Sequence, residues 1–310
     1  MQFRTAPVYP AVLFLTWVAI LLGLADPPHL QSISLAVLVV LVVFLGIPHG
    51  ATDLLIANHL AGGEATLRTN LAFLGAYLAA VALFAVLWWL LPGAALLLFS
   101  VLSCYHFGQS NLFYLPLSGA VRPFFYLLWG AYVLSGPILL NWGASEEIIR
   151  MIIGYEPNLG INTGSRALIA WSAVGGLNGV ILAILRLRGS ISARVFYQEV
   201  FNLILLGVLF LSTPLLLGFA IYFGLWHSVS AICEQISDLK TGNARFGLRK
   251  FYLQALPVTL ISFLAIVLII WFFETFGDSS RMVGWFFILI GTVTLPHMYI
   301  IHKLHARSKK

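Results

Sequence analysis

Charged residues are scarce in this chain of 310 residues. Aspartate, glutamate, lysine and arginine make up 9% of it, whereas hydrophobic residues make up 60%. A soluble domain carries about 25% charged residues, so the composition excludes an ordinary soluble protein. The apolar runs are continuous and about 20 residues long, which suits membrane-spanning helices, and they lack the alternation of barrel strands. We therefore expect an all-α, polytopic membrane protein.

Long polar segments and cysteines are also rare. Because no polar stretch is long enough to fold alone, residues 1–310 are expected to form a single integral-membrane domain. Both cysteines, Cys104 and Cys233, lie inside apolar runs, which argues against a structural disulfide. The first apolar run is long enough to span and has no convincing small-residue cleavage site, so we expect no cleavable signal peptide.

The apolar runs predict ten transmembrane helices. The second is expected to be broken near Pro48–Gly50, because proline and glycine interrupt helices, and the seventh and eighth are separated only around Pro214. The predicted spans are residues 8–25, 33–60, 69–91, 93–115, 120–141, 167–187, 196–212, 214–236, 251–275 and 282–304.

The basic residues indicate the direction of these spans. The isoelectric point is about 9.4, but lysines and arginines cluster at span ends and not on an independent domain, which excludes a nucleic-acid-binding role. Of the 17 lysines and arginines, only Arg150, Arg166 and Arg281 fall on the side opposite the N-terminus. The positive-inside rule then predicts cytoplasmic N- and C-termini, and hence a multi-pass protein of the inner (plasma) membrane.

Four of the eight histidines are predicted to lie within the membrane. His29 falls in a short loop, whereas His59, His302 and His305 fall near cytoplasmic ends of spans. Each of the other four lies about 13 to 16 residues from the outer end of a parallel span, a layer about 5 Å thick at about 1.5 Å per residue. Ionisable residues in membranes are costly and usually mark function. The sequence thus predicts one shared site of His49, His106, His227 and His297.

This layer of imidazoles indicates a metal centre, with hydrogen bonding between helices as the alternative for any one of them. Imidazole binds Fe, Cu, Zn and Ni, so the ligands alone do not select the metal. Metal-bound histidines usually donate their second N–H to an acceptor. The polar residues three or four positions from a histidine are candidates to orient the rings: Asp53, Gln109, Ser230 and Thr294.

The segments around these histidines resemble a known family, the Brp/Blh bacterial β-carotene dioxygenases. The matching pieces are GIPHGATD at Gly46–Asp53, YHFGQSN at Tyr105–Asn111, PLLLGFAIYFGLWHS at Pro214–Ser228 and TLPHM at Thr294–Met298. They occur in the family's order and span most of the chain.

The resemblance implies oxygen-dependent cleavage of the central double bond of β-carotene, or of a related carotenoid, to retinal. It implies a nonhaem Fe(2+) held by histidines, O2 as co-substrate, and a functional link to a microbial rhodopsin. The family has a second histidine about where Ala231 stands here, and an acidic residue near Asn111. We expect His297 to complete the ligand set in place of a histidine at position 231.

Aromatic residues surround two of the histidines and are candidates to line a polyene tunnel, ordinary packing being the alternative for each: Tyr105, Phe107, Tyr222, Phe223 and Trp226. Three other functions stay open at this point. They are a haem electron carrier, a transporter with a histidine-lined path, and an inactive or weakened carotenoid-binding relative.

Overall fold

The apolar runs form helices, because a backbone in lipid must satisfy its hydrogen-bonding groups within each segment. The computed structural model describes residues 3–62, 66–157, 165–242, 244–276 and 282–307, and these contain no β-strand. The helices in chain order are α1 Tyr9–Ala25, α2 Pro27–Leu41, α3 Ile47–Gly50, α4 Asp53–Ala61, α5 Leu67–Leu90, α6 Pro92–Leu112, α7 Val121–Leu140, α8 Trp142–Ile153, α9 Ser165–Leu187, α10 Ala193–Ser212, α11 Leu215–Ile221, α12 Val229–Gly242, α13 Leu248–Phe276 and α14 Met282–Arg307. A 3₁₀ turn at Phe3–Thr5 and π-helical turns at Val42–Gly46 and Tyr222–Ser228 complete the elements.

The predicted all-helical membrane protein is confirmed. In the described chain, 8 helical segments are long and apolar enough to cross a membrane: Pro27–Ala61, Leu67–Leu90, Val121–Leu140, Ser165–Leu187, Ala193–Ser212, Leu215–Gly242, Leu248–Phe276 and Gly284–Arg307. The remaining two predicted spans correspond to α1, which has 17 residues, and to α6, whose C-terminal half is polar. The count of ten spans, the single domain and the cytoplasmic termini stay predictions.

Two interruptions predicted from proline occur in the structure. The segment Pro27–Ala61 passes through the π-helical turn Val42–Gly46, and its helix is interrupted at Ala51 and Thr52. Pro48 has no N–H for the carbonyl of Phe44 four residues earlier; that carbonyl instead accepts a hydrogen bond from the Tyr252 hydroxyl at 3.2 Å. At Pro214 the backbone is extended, and α11 begins at the next residue.

Burial separates the helices into a centre and a lipid-facing periphery. The apolar window of Leu215–Gly242 is 78% buried, whereas those of α13 and α5 are 6% and 11% buried. The segment that carries His227 is therefore central, and α5 and α13 present most of their surface to lipid.

Helices α6 and α7 pack in backbone contact through two glycines. A Cβ on Gly130 of α7 would overlap the backbone of Cys104, and a Cβ on Gly108 of α6 would overlap the backbone of Tyr126. Small residues allow such close approach of membrane helices. This contact fixes the distance of α6, which carries His106, from its neighbour.

Replacing Gly130 by alanine is expected to lower the stability of the detergent-purified chain. The added methyl group forces α6 and α7 apart, and overpacking of this kind typically costs about 1–3 kcal/mol. Thermal unfolding, followed by loss of the monodisperse peak in size-exclusion chromatography, measures the effect.

Gly176→Ala is the matched control, since a Cβ on that glycine of α9 meets nothing within 4 Å. Alanine is favoured over glycine in a helix by about 1 kcal/mol, so this variant should be at least as stable as the parent. Equal melting temperatures for the two variants would refute the close α6–α7 contact.

Candidate metal centre

The four predicted histidines lie on four different elements. His49 is on α3, His106 on α6, His227 in the π-helical turn Tyr222–Ser228, and His297 on α14. All four are buried, with at most 5% of the residue exposed. The fold thus brings together imidazoles that are up to 248 positions apart in the sequence.

The four rings form a closed ring of contacts. The His49 centroid lies 5.2 Å from that of His227 and 4.9 Å from that of His297. The His106 centroid lies 5.0 Å from that of His227 and 5.5 Å from that of His297. Neighbouring rings are nearly perpendicular, with interplanar angles of 75–85°.

This spacing is that of imidazoles around one metal ion. With metal–nitrogen bonds of about 2.0–2.1 Å, ring centroids stand about 3.2 Å from a metal, and two rings on a tetrahedral ion are then about 5.2 Å apart. The donor atoms themselves are not yet arranged as ligands. Among the described residues, no three His, Cys, Asp or Glu side chains form a group that could hold a metal ion. The separation of the rings, and not the present direction of their nitrogens, is therefore the feature that matches a metal centre.

Several ring nitrogens in the cluster lack any hydrogen-bond partner. They are both nitrogens of His106, Nδ1 of His227 and Nε2 of His297, and all are buried. A buried polar group without a partner typically costs about 1–3 kcal/mol, and native structures contain few of them. Buried imidazole nitrogens without partners, on rings that contact one another, suit a metal ion of the kind that imidazole prefers, including iron.

Asp53 orients one of the four histidines. Its Oδ1 lies 2.8 Å from Nδ1 of His297, and its Oδ2 accepts a hydrogen bond from the Tyr77 hydroxyl at 3.1 Å. If Nδ1 carries the proton that it donates to Asp53, the lone pair of His297 is on Nε2, which is the unpaired nitrogen. This is the carboxylate–histidine arrangement that raises the basicity of a metal ligand.

His49 is oriented by its own helix. Its Nδ1 lies 3.3 Å from the carbonyl oxygen of Leu45. A proton on Nδ1 leaves Nε2 as the nitrogen with a lone pair. The π-helical turn Val42–Gly46 directly precedes α3, and such turns often occur at functional sites.

The other three predicted orienting residues bond elsewhere. Gln109 Nε2 lies 3.1 Å from Nδ1 of His302, and not against His106. Ser230 donates to Glu234 at 3.1 Å, and Thr294 donates to the carbonyl of Ile290 at 2.6 Å within its own helix. Spacing along one helix predicted that these residues share a face with a histidine, but the partner of Gln109 lies on α14 and those of Ser230 and Thr294 lie within their own helices.

Two of the five predicted aromatic residues line the histidine ring. The Phe107 centroid lies 4.9 Å from that of His227, and the Phe223 ring stacks on His227 at 5.7 Å and contacts His49 at 6.2 Å. A Cβ on Gly46 would contact Phe223 at 2.8 Å, so this glycine lets the two π-helical turns approach.

The remaining three aromatic residues contact other partners. The Tyr222 hydroxyl accepts a hydrogen bond from Asn111 at 3.0 Å, and the Trp226 indole donates to Thr16 of α1 at 3.0 Å. Tyr105 packs against Tyr126 and His302. These contacts correspond to ordinary packing, which was the alternative for each residue.

Two polar groups near the centre were missed from the sequence. His305, which we expected among the basic residues at the end of the last span, is buried within the protein; it stacks on Phe113 at 4.3 Å, and its Nε2 lies 3.2 Å from Glu234. Gln235 reaches from α12 to the carbonyl of His49. The sequence did contain a signal for these contacts, because Glu234 and Gln235 stand side by side in a predicted apolar span.

Comparison with known proteins supports a family assignment. A family model described as Beta-carotene 15,15'-dioxygenase matches residues 40–305. A probable beta-carotene 15,15'-dioxygenase Blh of Halobacterium salinarum is 27% identical over 322 aligned residues, covering 93% of this chain and 90% of the relative. The beta-carotene 15,15'-dioxygenase of uncultured marine bacterium 66A03 is 26% identical over 277, covering 84% and 90%. No solved structure matches.

The matched region, residues 40–305, begins before His49 and ends after His297. It therefore contains all four rings of the cluster and most of the chain. The chain belongs to the β-carotene 15,15'-dioxygenase family.

Proposed function

We propose that this protein is a carotenoid cleavage dioxygenase that converts β-carotene, or a related carotenoid, to retinal at a nonhaem iron within the membrane. The observation that carries the proposal is the ring of four buried histidines at the separation of metal ligands. The names of both relatives supply the reaction class.

The iron would be held by His49, His106, His227 and His297, of which the last three have buried ring nitrogens without partners. Asp53 would hold His297 in the tautomer whose Nε2 faces the ion, as carboxylates do for metal-bound histidines. Ferrous iron, when bound, supplies the one-electron chemistry by which dioxygen reacts with a double bond. In the overall reaction one C=C bond and the O–O bond break and two C=O bonds form, with no net proton transfer.

The surroundings of the ring suit an apolar substrate. Phe107 and Phe223 contact His227 on its ring faces and edges, and aromatic walls bind a flat conjugated chain by dispersion and stacking. A carotenoid and dioxygen both partition into lipid, so each reaches a site at this depth from the bilayer. We place the protein in the plasma membrane, with both termini in the cytoplasm and its retinal available to a microbial rhodopsin.

A haem carrier fits the same residues less well. A porphyrin ligated by two of these histidines needs a plate-shaped space between their rings, and the other two rings occupy it at centroid distances of 4.9–5.5 Å. The purified protein is therefore expected to lack a Soret band. The alternative of a carotenoid-binding relative without activity is separated from the enzyme by the next experiment.

Expression in β-carotene-producing cells should bleach the cells and yield retinal, measured by chromatography of extracted pigments. His49→Ala, His106→Ala and His227→Ala should each reduce retinal at least about 100-fold, because each removes a metal ligand. His29→Ala, which alters an exposed histidine, should retain parental yield at equal expression. Retinal formation that survives all three substitutions would refute the proposed centre, and pigment bound without cleavage by the parent would assign an inactive relative.

The identity of the fourth ligand is tested at positions 297 and 231. His297→Ala should abolish iron binding, measured by elemental analysis of the purified protein. Ala231 is buried, with 6% of the residue exposed, so Ala231→His crowds the packed helix and should leave the iron content unchanged or lower. A sharp rise in iron with Ala231→His, together with full iron retention in His297→Ala, would remove His297 from the ligand set.

Asp53→Asn should lower metal affinity by about 10- to 100-fold, the usual effect of losing an acceptor behind a metal-bound histidine. The amide keeps the size of the carboxylate but no longer carries the charge that favours the protonated Nδ1 of His297. Titration of the metal-free protein with Fe(2+) under anaerobic conditions measures the effect. Tyr77→Phe removes only one hydrogen bond to Asp53, so it should lower the metal affinity less than Asp53→Asn does. Equal metal affinities of Asp53→Asn and the parent would contradict the orienting role of Asp53.

A further inference from the structure

Gln235 is a buried amide on the same helical segment as His227. It stands eight residues after that histidine, on α12, and 1% of the residue is exposed. An amide side chain in the membrane interior is costly unless its donors and acceptor are satisfied. Its hydrogen bonds therefore indicate what the residue holds in place.

Both ends of the Gln235 amide bond to the segment that carries His49. Nε2 donates to the backbone carbonyl of His49 at 3.0 Å, and Oε1 accepts from the Thr52 hydroxyl at 3.0 Å. A carbonyl oxygen can only accept, so the NH2 group must face His49, and the amide oxygen then faces Thr52. The orientation of the amide follows from this pair of partners.

The carbonyl of His49 needs such a donor because its helix is interrupted. α3 ends at Gly50 and α4 begins at Asp53, and the last carbonyls of a helix lack regular intrahelical partners. The same carbonyl also lies 3.1 Å from the Thr52 hydroxyl. Thr52 has 1% of its surface exposed, so water does not replace these bonds.

This position connects three of the four histidines. Gln235 belongs to the helix of His227, bonds the backbone of His49, and fixes the interruption from which Asp53 emerges to bond His297. We propose that Gln235, oriented by Thr52, is a positioning residue that sets the mutual placement of His49, His227 and His297. The inference rests on the proposed function, since it assigns the purpose of the contact to a metal centre.

Titration with Co(2+) tests the inference without relying on catalysis. The full-length protein is purified in detergent, stripped of metal and titrated, and the ligand-field absorption bands report both affinity and coordination geometry. Gln235→Met, which keeps the length and removes the amide, should lower affinity about 10- to 100-fold and shift the bands, as loss of outer partners does at other metal sites.

Thr52 provides a pair of variants that differ in one group. Thr52→Val keeps the shape but removes the hydroxyl, and should weaken Co(2+) binding in the same direction; Thr52→Ser keeps the hydroxyl and should restore it. Because Thr52 acts through Gln235, the double variant Gln235→Met/Thr52→Val should bind no more weakly than Gln235→Met alone. If Gln235→Met does not fold, the two Thr52 variants carry the test.

Asn178→Leu is the matched control for a general loss of stability. Asn178 is fully buried on α9 and donates its amide to the carbonyl of Leu128 on α7 at 3.2 Å, the same kind of bond between helices. It should lower the melting temperature and leave Co(2+) affinity unchanged.

The outcomes separate the two proposals. Parental affinity and bands in Gln235→Met and Thr52→Val, while His49→Ala abolishes binding, overturn the positioning role and leave the metal centre intact. An equal loss of affinity in Asn178→Leu and Gln235→Met also overturns it, because stability alone then explains the effect. Absence of Co(2+) binding by the parent overturns both the metal centre and this inference.

Discussion

The hydrogen bond between Asp53 and His297 is the constraint on which the arrangement of the centre depends. A carboxylate buried in the membrane is costly unless it is paired, and Asp53 has its partners on α5 and α14, from Tyr77 and His297. The bond joins residues 244 positions apart. It thereby fixes α14, the last described helix, against the segment that carries His49, and brings the fourth ring to the other three.

Polar contacts repeat this pattern toward the C-terminal ends of α4, α12 and α14. Glu234 pairs with His305, and Asp238 pairs with His59 at 3.1 Å. The Arg307 guanidinium donates to the carbonyl of His59 at 2.8 Å. The end of α14 is thus bound to α4 and α12, the helices that continue from His49 and His227, and these contacts join the segments that carry three of the four rings.

The sequence predicted the helical membrane fold, the interruption near Pro48 and the division at Pro214, because continuous apolar runs, proline and glycine act locally. Counting residues from the outer end of each span predicted that the four histidines lie close together, since the rise per residue is the same in any α-helix. It did not predict that Gln109 contacts His302 or that His305 is buried. Helices that are apolar on all sides carry no periodic signal of which face meets which neighbour, so these pairings appear only in three dimensions.

The directions of the side chains around His227 could not be predicted from the sequence either. The turn Tyr222–Ser228 is π-helical, so its side chains are offset from the positions that α-helical spacing assigns. Within it Phe223 stacks on His227, whereas Trp226, the immediate neighbour of His227, points to Thr16. Of the predicted aromatic residues, Phe107 and Phe223 contact the histidine ring, whereas Tyr222 and Trp226 form hydrogen bonds to other helices; the substrate-lining role of all of them stays a prediction.

The wide turn has a consequence for how such a protein changes over generations. A π-helical turn accommodates one more residue than an α-helical turn, so removal of one residue from it leaves the two flanking parts of the helix facing the same way and changes only the side chains of the turn itself. The shortened segment stays apolar and long enough to insert into the bilayer, but Phe223 and His227, which stack in this turn, no longer stand four residues apart when a residue between them is removed. A single codon deletion at this turn thus separates two properties of the chain, because insertion and packing are kept while the surroundings of the histidine ring change.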